Sequence, residues 1–450
     1  MSIKGRLKHA DKLAEIARAY KAVSVKERLL LFVYLAVTRC LPARLIIWVV
    51  KRGAHKGGEE TAERAGERAA LNMRQRPSGK VFWLNSIGPG DSTANQGLVA
   101  ELLLQDPRAL VLITTRTVSA QGIFSRWKDE PRVIIQLAPH DSLYASRRFL
   151  SHWQPSAAIF CERDLWPNML RELTARRIPI AIVNGQLDGR LLKDLRKVQS
   201  LGRWMLSHVD YIHIFSETCA KLAQEWMRPG AVVFQGRNLK LDCPPLESKP
   251  ALEADLAKIW RGKHIFTAAS VATREVRDVI EAFRLANIAN PDLRLILVPR
   301  WKYQSDDFYT AVKVAGFAAP RRSIEGLPQT TDPILIADTY GELGTWYGLS
   351  FAAFIGDTFH NGSGHNPYEA ILRGIPVLAG GIGRLFRADF EALVDAEVCR
   401  LVETPEEMAQ AITEFAGGIT PESVVRFLDN RGSAARVARD LIHLSHTDAR

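Results

Sequence analysis

The sequence has few cysteines, and they do not stand in the spacing of a metal or redox motif. The five, in a chain of 450 residues, are Cys40, Cys161, Cys219, Cys243 and Cys399. No CxxC pair occurs, which argues against a zinc site and against a disulfide framework. We therefore expect reduced, mostly buried thiols in a protein on the cytoplasmic side of a membrane.

The sequence also lacks an apolar run long enough to cross a bilayer. Its N-terminal apolar runs, Leu29–Val37 and Leu45–Val50, are far shorter than the roughly twenty residues that a membrane helix needs. Arg39 and Arg44 stand between them, where charge is costly. No small-residue cleavage site follows, so a signal peptide is not expected. The basic flanks favour an anchor at residues 1–52 that lies on an anionic membrane surface. The alternative is a helix packed on the protein's own core.

Short repeats, low-complexity tracts and a recognisable nucleic-acid module are absent too. The formal net charge is nevertheless +11 at pH 7. Such an excess suits a partner that carries phosphates, which leaves nucleotides, anionic lipids and nucleic acid as classes. Aromatic and basic residues are not interleaved as nucleic-acid binding requires, so no nucleic-acid partner is expected.

From Val81 onwards, short apolar runs alternate with helical patterns, which is typical of a parallel sheet covered by helices on both faces. Strands are predicted at 81–84, 110–113, 133–135, 157–160, 180–183 and 232–234, and again at 265–268, 295–298, 334–336, 351–355 and 377–378. The proline-rich segment Cys243–Pro250 separates the two series. We predict an α/β protein with two Rossmann-like domains facing a central cleft, at residues 53–246 and 247–450, preceded by an N-terminal membrane-associated helix.

Side chains suited to chemistry follow the predicted strands, where open α/β sheets bind their ligands. In the first half they are carboxylates: Asp91 lies on the glycine-rich turn Asn85–Ser92, and Glu162 and Asp164 follow the strand at 157–160. In the second half, Arg300 follows the strand at 295–298. This division fits a glycosyltransferase that uses a nucleotide sugar, with acids in one domain and anion-binding loops in the other.

The stretch Asp357–Glu369 combines a strand end, a glycine-rich loop and a helix start. Asn366 suits the N-cap, Pro367 the first helical position and Glu369 the third. The segment 339–342 has the spacing of a capping box, which predicts a second helix N-terminus. Free backbone N–H groups at such positions can hold a phosphate. The alternative is an ordinary tight turn between strand and helix.

The order of these motifs resembles that of the 3-deoxy-D-manno-octulosonate (Kdo) transferase family, whose members add Kdo from CMP-Kdo to lipid A precursors. The similar segments are Trp83–Asp91, Glu162–Asn168, Asn184–Asp188, Gly236–Asp242, Pro299–Arg300, Asp338–Leu343 and Ser363–Ala370. The resemblance runs from about Arg64 to about Val402. It implies a GT-B type fold and an inverting transfer of Kdo, or a related ulosonic acid, from a CMP-activated donor to an envelope glycolipid.

The resemblance also implies roles for single residues. Asp91 takes the place of the family's catalytic glutamate and is the candidate general base, with a helix cap as its alternative role. Acceptor-binding residues are expected at Gly90, Ser92, Glu162, Asp164 and Asn184. Donor-binding residues are expected at Lys240, Ser270, Pro299, Arg300, Gly341, Glu342, Leu343, Gly364, His365, Asn366 and Glu369. Neither a metal nor a cofactor beyond the CMP-activated sugar is expected, because Arg300 and helix N-termini can carry the phosphate charge.

The sequence departs from the family pattern at several of these positions. Asp91 is one methylene shorter than glutamate, Gly88 replaces a serine, Gln186 replaces an arginine, and Trp301–Tyr303 replaces a basic segment. Arg237 is inserted after Gly236, within the motif that contains the expected donor lysine. Three functions therefore stay open: a Kdo transferase, a transferase of the same fold that uses another nucleotide sugar, and a glycolipid-binding scaffold without turnover.

The expected setting follows from the resemblance and the basic N-terminus. The partners would be a nucleotide-sugar donor, a glycolipid acceptor and an anionic membrane surface. The expected location is the cytoplasmic face of a bacterial inner membrane, in lipopolysaccharide biosynthesis.

Overall fold

The computed structural model describes residues 3–54, 64–162, 164–187, 198–383, 386–416 and 422–447. The chain forms two compact units. The first contains Met1–Cys243 together with Gly432–Arg450, and the second contains Pro244–Arg431. Each unit is built on a parallel sheet, which confirms the predicted α/β class.

The first unit holds a seven-stranded parallel sheet in the order β3-β2-β1-β4-β5-β6-β7. Its strands are β1 (Lys80–Ser86), β2 (Ala109–Thr115), β3 (Val133–Leu137), β4 (Ala157–Cys161), β5 (Ile180–Gly185), β6 (Tyr211–Ile214) and β7 (Val232–Gln235). The strand order reverses between β1 and β4, whose residues pair from Phe82 with Ala157 to Asn85 with Phe160. A reversal of this kind opens a crevice at the carboxyl ends of the two strands.

Helices cover both faces of this sheet, so that its central strands are buried on both sides. The described helices of the first unit that precede Cys243 are α1 (Ile3–Lys21), α2 (Val25–Arg39), α3 (Ala43–Ala54), α4 (Ala65–Arg68), α5 (Pro89–Gln105), α6 (Val118–Ile123), α7 (Leu143–Trp153), α8 (Pro167–Ala175), α9 (Gln199–Ser207) and α10 (Glu217–Trp226). In β1, Phe82 and Leu84 pack into one apolar cluster, and Val81 and Trp83 pack into the other. Burial of both faces explains why β1 is an uninterrupted apolar run in the sequence.

The second unit holds a six-stranded parallel sheet in the order β10-β9-β8-β11-β12-β13. Its strands are β8 (His264–Val271), β9 (Leu293–Pro299), β10 (Ile334–Ile336), β11 (Ala352–Ile355), β12 (Val377–Ala379) and β13 (Cys399–Leu401). Its helices are α11 (Pro250–Ile259), α12 (Val276–Ala289), α13 (Ser305–Val314), α14 (Leu343–Leu349), α15 (Tyr368–Ile371), α16 (Arg387–Asp395), α17 (Pro405–Phe415) and α18 (Glu422–Asp429). The strand order reverses between β8 and β11.

The C-terminal helix α19 (Ser433–Thr447) differs from the predicted division, which placed all of residues 247–450 in one domain. The helix belongs to the first unit, where its apolar side, including Val437 and Leu441, packs into the cluster that contains Leu84. The carboxylate of Asp242 fixes the start of this segment by accepting hydrogen bonds from the N–H groups of Gly432 and Ala434, the latter at 2.7 Å. The observed boundary, after Cys243, lies close to the predicted one.

The N-terminal helices are partly packed and partly exposed. Ile16, Val23 and Leu31 form a small buried cluster with Trp204 of α9. The outward side of α2 is apolar nevertheless, with Phe32 exposed to 67%. Among the described residues, no single helix is long and apolar enough to cross a membrane, although Val25–Arg39 and Ala43–Val49, bent by 96°, pass such a test as a pair. The membrane anchor therefore stays a prediction.

Two strands were missing from the sequence prediction. The strand β6 is short and carries His213, which is fully buried, so its apolar run is interrupted. The strand β13 has only three residues, Cys399–Leu401, and lies at the sheet edge. Short strands of this kind offer too few residues for a period of two to emerge.

Candidate active site

The carboxylates predicted in the first unit gather at its switch point. Asp91 follows β1, while Glu162 and Asp164 follow β4, and these two strands are neighbours. Burial raises the pKa of the Cys161 thiol well above its usual value, and the charges of Asp91, Glu162 and Asp164 raise it further. All three carboxylates therefore lie close to the end of β4.

Asp91 lies in the first turn of α5, whose N-cap is Gly88 and whose first helical residue is Pro89. One of its carboxylate oxygens accepts a long hydrogen bond of 3.3 Å from the Gly88 N–H. This contact satisfies the N–H of the N-cap residue and helps to fix the direction of the Asp91 side chain. Asp91 is half-buried, so its carboxylate can also be reached from outside. The structure thus shows the capping contact, while the role of general base stays a prediction.

Asp164 is held in a buried polar network at the same strand ends. Its oxygens accept hydrogen bonds from Asn85 Nδ2 at 2.7 Å and from Trp166 Nε1 at 2.8 Å. Burial raises the pKa of this carboxyl, against the hydrogen bonds and the Arg116 charge, and the charge of Asp91 raises it as well. Asp164 is therefore fixed in place, and it favours a neighbouring hydroxyl or cation.

Glu162 and Asn184 both have positive φ, at 56° and 53°, where their strands end. Glu162 accepts a hydrogen bond of 3.2 Å from Gln186 Nε2. Asn184 is buried, and its Oδ1 accepts a hydrogen bond of 3.1 Å from the Leu239 N–H. Asn184 thus holds the segment after β7 in place, and its predicted contact with an acceptor stays a prediction.

The remaining predicted acceptor residues lie in the first turn of α5. Gly90 is exposed. Ser92 is buried, and its Oγ lies 3.0 Å from Ser86 Oγ. The predicted motifs also include Arg163 and Asp188, which lie outside the described residues.

In the second unit, Glu275 organises the loop that follows β11. The residue is fully buried, and its carboxylate accepts hydrogen bonds from the N–H groups of Ala272 at 2.9 Å, Thr358 at 3.3 Å and Phe359 at 3.2 Å, and from that of Asp357. Burial raises the pKa of Glu275 despite these bonds. One carboxylate thereby ties the end of β8 to the glycine-rich loop.

Cationic side chains converge on this loop. The His365 pKa is lowered to about 4, by burial first and then by the charge of Arg300, with a further contribution from Arg274. Arg274 forms an ion pair with Asp357, and Arg300 is exposed and stacks on the Trp301 ring at 4.8 Å. Neutral His365 and two guanidinium groups make this end of the sheet suited to a phosphate or carboxylate.

The helix starts of the second unit differ from the prediction in detail. At α15 the N-cap is Pro367, one residue later than predicted, although Asn366 Oδ1 accepts a hydrogen bond of 3.2 Å from the Tyr368 N–H. Asn366 Nδ2 donates to Glu369 Oε1 at 3.1 Å. Gly364, in the loop before it, has a φ of 75°, which favours glycine.

The predicted capping box at 339–342 is absent from α14. Glu342 occupies the N-cap position there without a side-chain cap. Its carboxylate instead contacts the Thr339 hydroxyl, Lys249 Nζ at 3.0 Å and Arg322 at 3.2 Å. Although burial opposes the charge, these partners lower the pKa of Glu342. Because Glu342 already has these cationic and hydroxyl partners, its carboxylate stabilises the loop that carries Gly341.

The other predicted donor residues are distributed as follows. Pro299 is buried at the end of β9, and Ser270 lies in an irregular part of β8 with a φ of 57°. Leu343 is the first residue of α14. Lys240 is 3% exposed and belongs to the first unit, in a 3-10 turn at Leu239–Asp242, unlike the other predicted donor residues.

Sequence reasoning missed three residues at these sites, namely Arg116, Arg274 and Glu275. All three follow strands, so the rule that identified the other residues applied to them as well. Arg274 and Glu275 stand outside the motifs that carry the family resemblance, and Arg116 lies in the turn 114–119, where the sequence departs from the family pattern. Among the described residues, no three His, Cys, Asp or Glu side chains are grouped so as to hold a metal ion.

Comparison with known proteins covers both units. Residues 59–243 match the family described as 3-deoxy-D-manno-octulosonic-acid transferase (kdotransferase). The 3-deoxy-D-manno-octulosonic acid transferase of Haemophilus influenzae is 26% identical over 372 residues, which span 80% of this chain and 86% of that protein. The protein of the same name from Bordetella pertussis is 28% identical over 366 residues, spanning 77% and 82%. The family match and these relatives support membership of this chain in the 3-deoxy-D-manno-octulosonic acid (Kdo) transferase family.

Solved structures share the fold of this chain. A glycosyltransferase from Rickettsia africae has a TM-score of 0.54 at 10% identity, covering 83% of this chain and 100% of that one. The UDP-GlcNAc 2-epimerase of Neisseria meningitidis has a TM-score of 0.55 at 12% identity, covering 81% and 99%. These likenesses confirm the predicted GT-B type fold and no more. Family and fold together confirm that the protein is a glycosyltransferase.

Proposed function

We propose that this glycosyltransferase transfers Kdo, or a related ulosonic acid, from a CMP-activated donor to a hydroxyl group of a lipid A precursor or related envelope glycolipid. The observation that carries the proposal is the position of Asp91. It is a half-buried carboxylate at the switch point of the first sheet, next to Glu162 and Asp164. The relatives named above are Kdo transferases, which supports the sugar class.

In the proposed reaction, Asp91 acts as the general base. The acceptor hydroxyl attacks the anomeric carbon of the donor sugar, the bond between that carbon and the phosphate oxygen breaks, and the hydroxyl proton passes to Asp91. The configuration at the carbon inverts, because attack and departure take place on opposite sides. Asp164, which is fixed by Asn85 and Trp166, can orient the acceptor.

The second unit supplies the donor side of the proposal. CMP leaves as an anion, and its phosphate gains charge as the bond breaks. Arg300 and Arg274 are the side chains placed to neutralise it, near the loop that Glu275 organises. Arg300 and Arg274 can carry that charge, so we propose a reaction that needs no metal or further cofactor.

The proposed acceptor is a glycolipid, so the enzyme must bind it at the surface of a bilayer. Helices α2 and α3 expose the apolar side chains of Phe32, Trp48 and Val49 beside basic flanks. We propose that these helices attach the protein to the cytoplasmic face of the inner membrane. High salt should release part of the protein from anionic vesicles, while deletion of residues 1–52 should abolish attachment.

A transferase of the same fold with another donor is the second candidate. The observation that favours it is the aromatic group where the family pattern is basic: Trp301 and Tyr303 stack at 6.3 Å, and Lys302 lies 4.6 Å from the Tyr340 ring. Aromatic faces of this kind bind sugar rings and bases, so they can change donor preference.

Transfer and binding assays separate these candidates. Purified protein should convert CMP-Kdo and a lipid A precursor into a product heavier by one or more Kdo residues, detected by mass spectrometry. Calorimetry should show binding of CMP in preference to UDP and GDP. Preference for UDP or GDP would favour the second candidate, and donor binding without any turnover would favour a scaffold.

A further inference from the structure

A cavity of about 830 Å³ lies in the first unit, between helices α2 and α3 and the carboxyl ends of strands β2, β3 and β4. The helices contribute an apolar wall that includes Val33, Val37, Leu41, Leu45 and Val49. Val37 is 57% exposed and Leu45 is 40% exposed. The cavity therefore opens where the outer surface of the helices is apolar too.

The other end of the cavity is polar and mainly cationic. It is lined by Arg68, Arg116 and His140. Arg116 is exposed, and its charge counters the rise that burial causes in the pKa of Asp164. Trp166, which also lines the cavity, donates its Nε1–H to Asp164 at 2.8 Å, so the cavity reaches the neighbourhood of Asp164.

Specific hydrogen bonds hold the apolar wall in place. The Tyr34 hydroxyl of α2 donates to Asp141 Oδ2 at 2.7 Å. Asn168 Nδ2 at the start of α8 donates to Thr38 Oγ1 at 2.9 Å, and the Asn168 N–H donates to Asp141 at 3.1 Å. These bonds occupy the carboxylate of Asp141, the acidic residue in the cavity lining. The cavity is therefore a built feature of the fold.

We propose that this cavity binds an acyl chain of the glycolipid acceptor, with a phosphate of the acceptor's sugar at Arg116. The occupant follows from charge and position: an apolar chain fits the wall of α2 and α3, an anion fits the cationic end, and a hydroxyl beside that anion would lie near Asp164. A water-soluble sugar would leave the apolar wall exposed. The inference rests on the proposed function, because it names the part of the acceptor that this end of the site selects.

The test compares two acceptors, a phosphorylated glucosamine disaccharide that carries acyl chains and the same disaccharide after deacylation. Val37→Glu places a charge in the cavity wall at a position exposed enough to leave folding intact. We expect it to raise the KM for the acylated acceptor by about tenfold to a hundredfold, as expected for a few methylene groups that lose apolar contact, and to leave the deacylated acceptor unaffected. Arg116→Gln should weaken binding of phosphorylated acceptors more than that of dephosphorylated ones.

Leu104→Glu is the matched control, because Leu104 is an exposed apolar residue near the end of α5, outside the cavity lining and outside the helices proposed to attach to the membrane. With acceptors dispersed in detergent it should behave as wild type. Equal effects of Val37→Glu on both acceptors, or equal effects of Val37→Glu and Leu104→Glu, would overturn the inference.

Calorimetry without donor separates this inference from the proposed function. If wild type transfers no sugar to either acceptor, the proposed function fails. The inference still stands if the wild type binds the acylated disaccharide more tightly than the deacylated one and Val37→Glu removes the difference. Equal affinity of the wild type for both disaccharides would refute the acyl-chain site, whatever the turnover.

Discussion

The switch point of the first sheet and that of the second differ in the charges that follow the strands. After β1 and β4 the first unit places Asp91, Glu162 and Asp164 close together. After β8 and β11 the second unit places Arg274 near His365, and Arg300 follows β9. Two parallel sheets with the same kind of strand reversal thus offer opposite charges. Topology fixes where a ligand can bind, and the loop side chains decide which chemical group it presents.

Acidic residues also have different tasks in the two units. Glu275 is fully buried and bonded to four backbone N–H groups, so its charge serves the shape of the loop. Asp91 is half-buried and accepts a single long bond of 3.3 Å from Gly88 among the described hydrogen bonds. A carboxylate that must take up a proton needs this access, whereas a carboxylate that holds a loop does not.

Removing the charge of Asp91 should have the largest effect on activity of all the substitutions considered for the two switch points. A general base typically contributes about 10²–10⁴ in rate, so Asp91→Asn should lower kcat by that factor while CMP affinity stays near the wild-type value. Steady-state kinetics and calorimetry would measure the two quantities. Asp129→Asn, at an acid whose side chain is 87% exposed, is the matched control.

Asp91→Glu tests the effect of side-chain length at the same position, because it introduces the glutamate that the resemblance predicts. Higher activity would mean that the shorter side chain limits the rate, and lower activity would mean that the acceptor site is shaped for aspartate. Full activity of Asp91→Asn would show that Asp91 is only a helix cap, and Glu162 and Asp164 would become the candidates for the base.

Arg300→Ala tests the cationic group at the switch point of the second unit. Loss of one charge-assisted contact to phosphate should weaken CMP binding by roughly 1.5–3 kcal/mol. Arg261→Ala serves as control, because Arg261 is exposed just before β8, at the opposite edge of the same sheet. Calorimetry with CMP would decide, and equal affinity of wild type and Arg300→Ala would remove Arg300 from the donor site.

Glu275→Gln tests whether the buried carboxylate of Glu275 affects donor binding by holding the loop in place. A glutamine side chain has one oxygen acceptor, and its NH₂ group would face backbone N–H groups that now donate to Glu275. The loop should therefore be held less well, and CMP affinity should fall by about 1–2 kcal/mol. The kcat at saturating donor should change much less, since Asp91 lies in the other unit. Glu281→Gln, at an exposed ion pair of the following helix, should leave both quantities unchanged. A fall in kcat without loss of affinity would contradict the positioning role.

The sequence predicted most strands because buried parallel strands are short apolar runs between turns, as in Val81–Leu84. The acids after β1 and β4 could be predicted because open α/β sheets bind ligands at the carboxyl ends of their strands. Tertiary contacts could not be predicted in the same way. The amphipathic pattern of Ser433–Thr447 does not indicate which sheet the helix covers. The hydrogen bonds that Glu275 accepts from the N–H groups of residues 357–359 join segments far apart in the chain. Cap positions such as Pro367 depend on loop geometry, which local preference does not determine.

The last prediction concerns stability in acid, where the buried histidines of the first unit matter. His208 and His213 are almost fully buried, and burial lowers their pKa values to about 3 and about 4. Unfolding restores a value of about 6.5, so below that pH the unfolded chain binds more protons than the folded one. The free energy of unfolding should therefore fall as the pH drops from 6.5 towards 4, by up to about 1.4 kcal/mol per pH unit for each histidine.

Hydrogen exchange should show protection lost first in strands β5 and β6 of the full-length protein. His213→Gln should make the pH dependence less steep, whereas His264→Gln, at an exposed position of the second unit, should not. An unchanged slope in His213→Gln would mean that acid unfolding begins elsewhere.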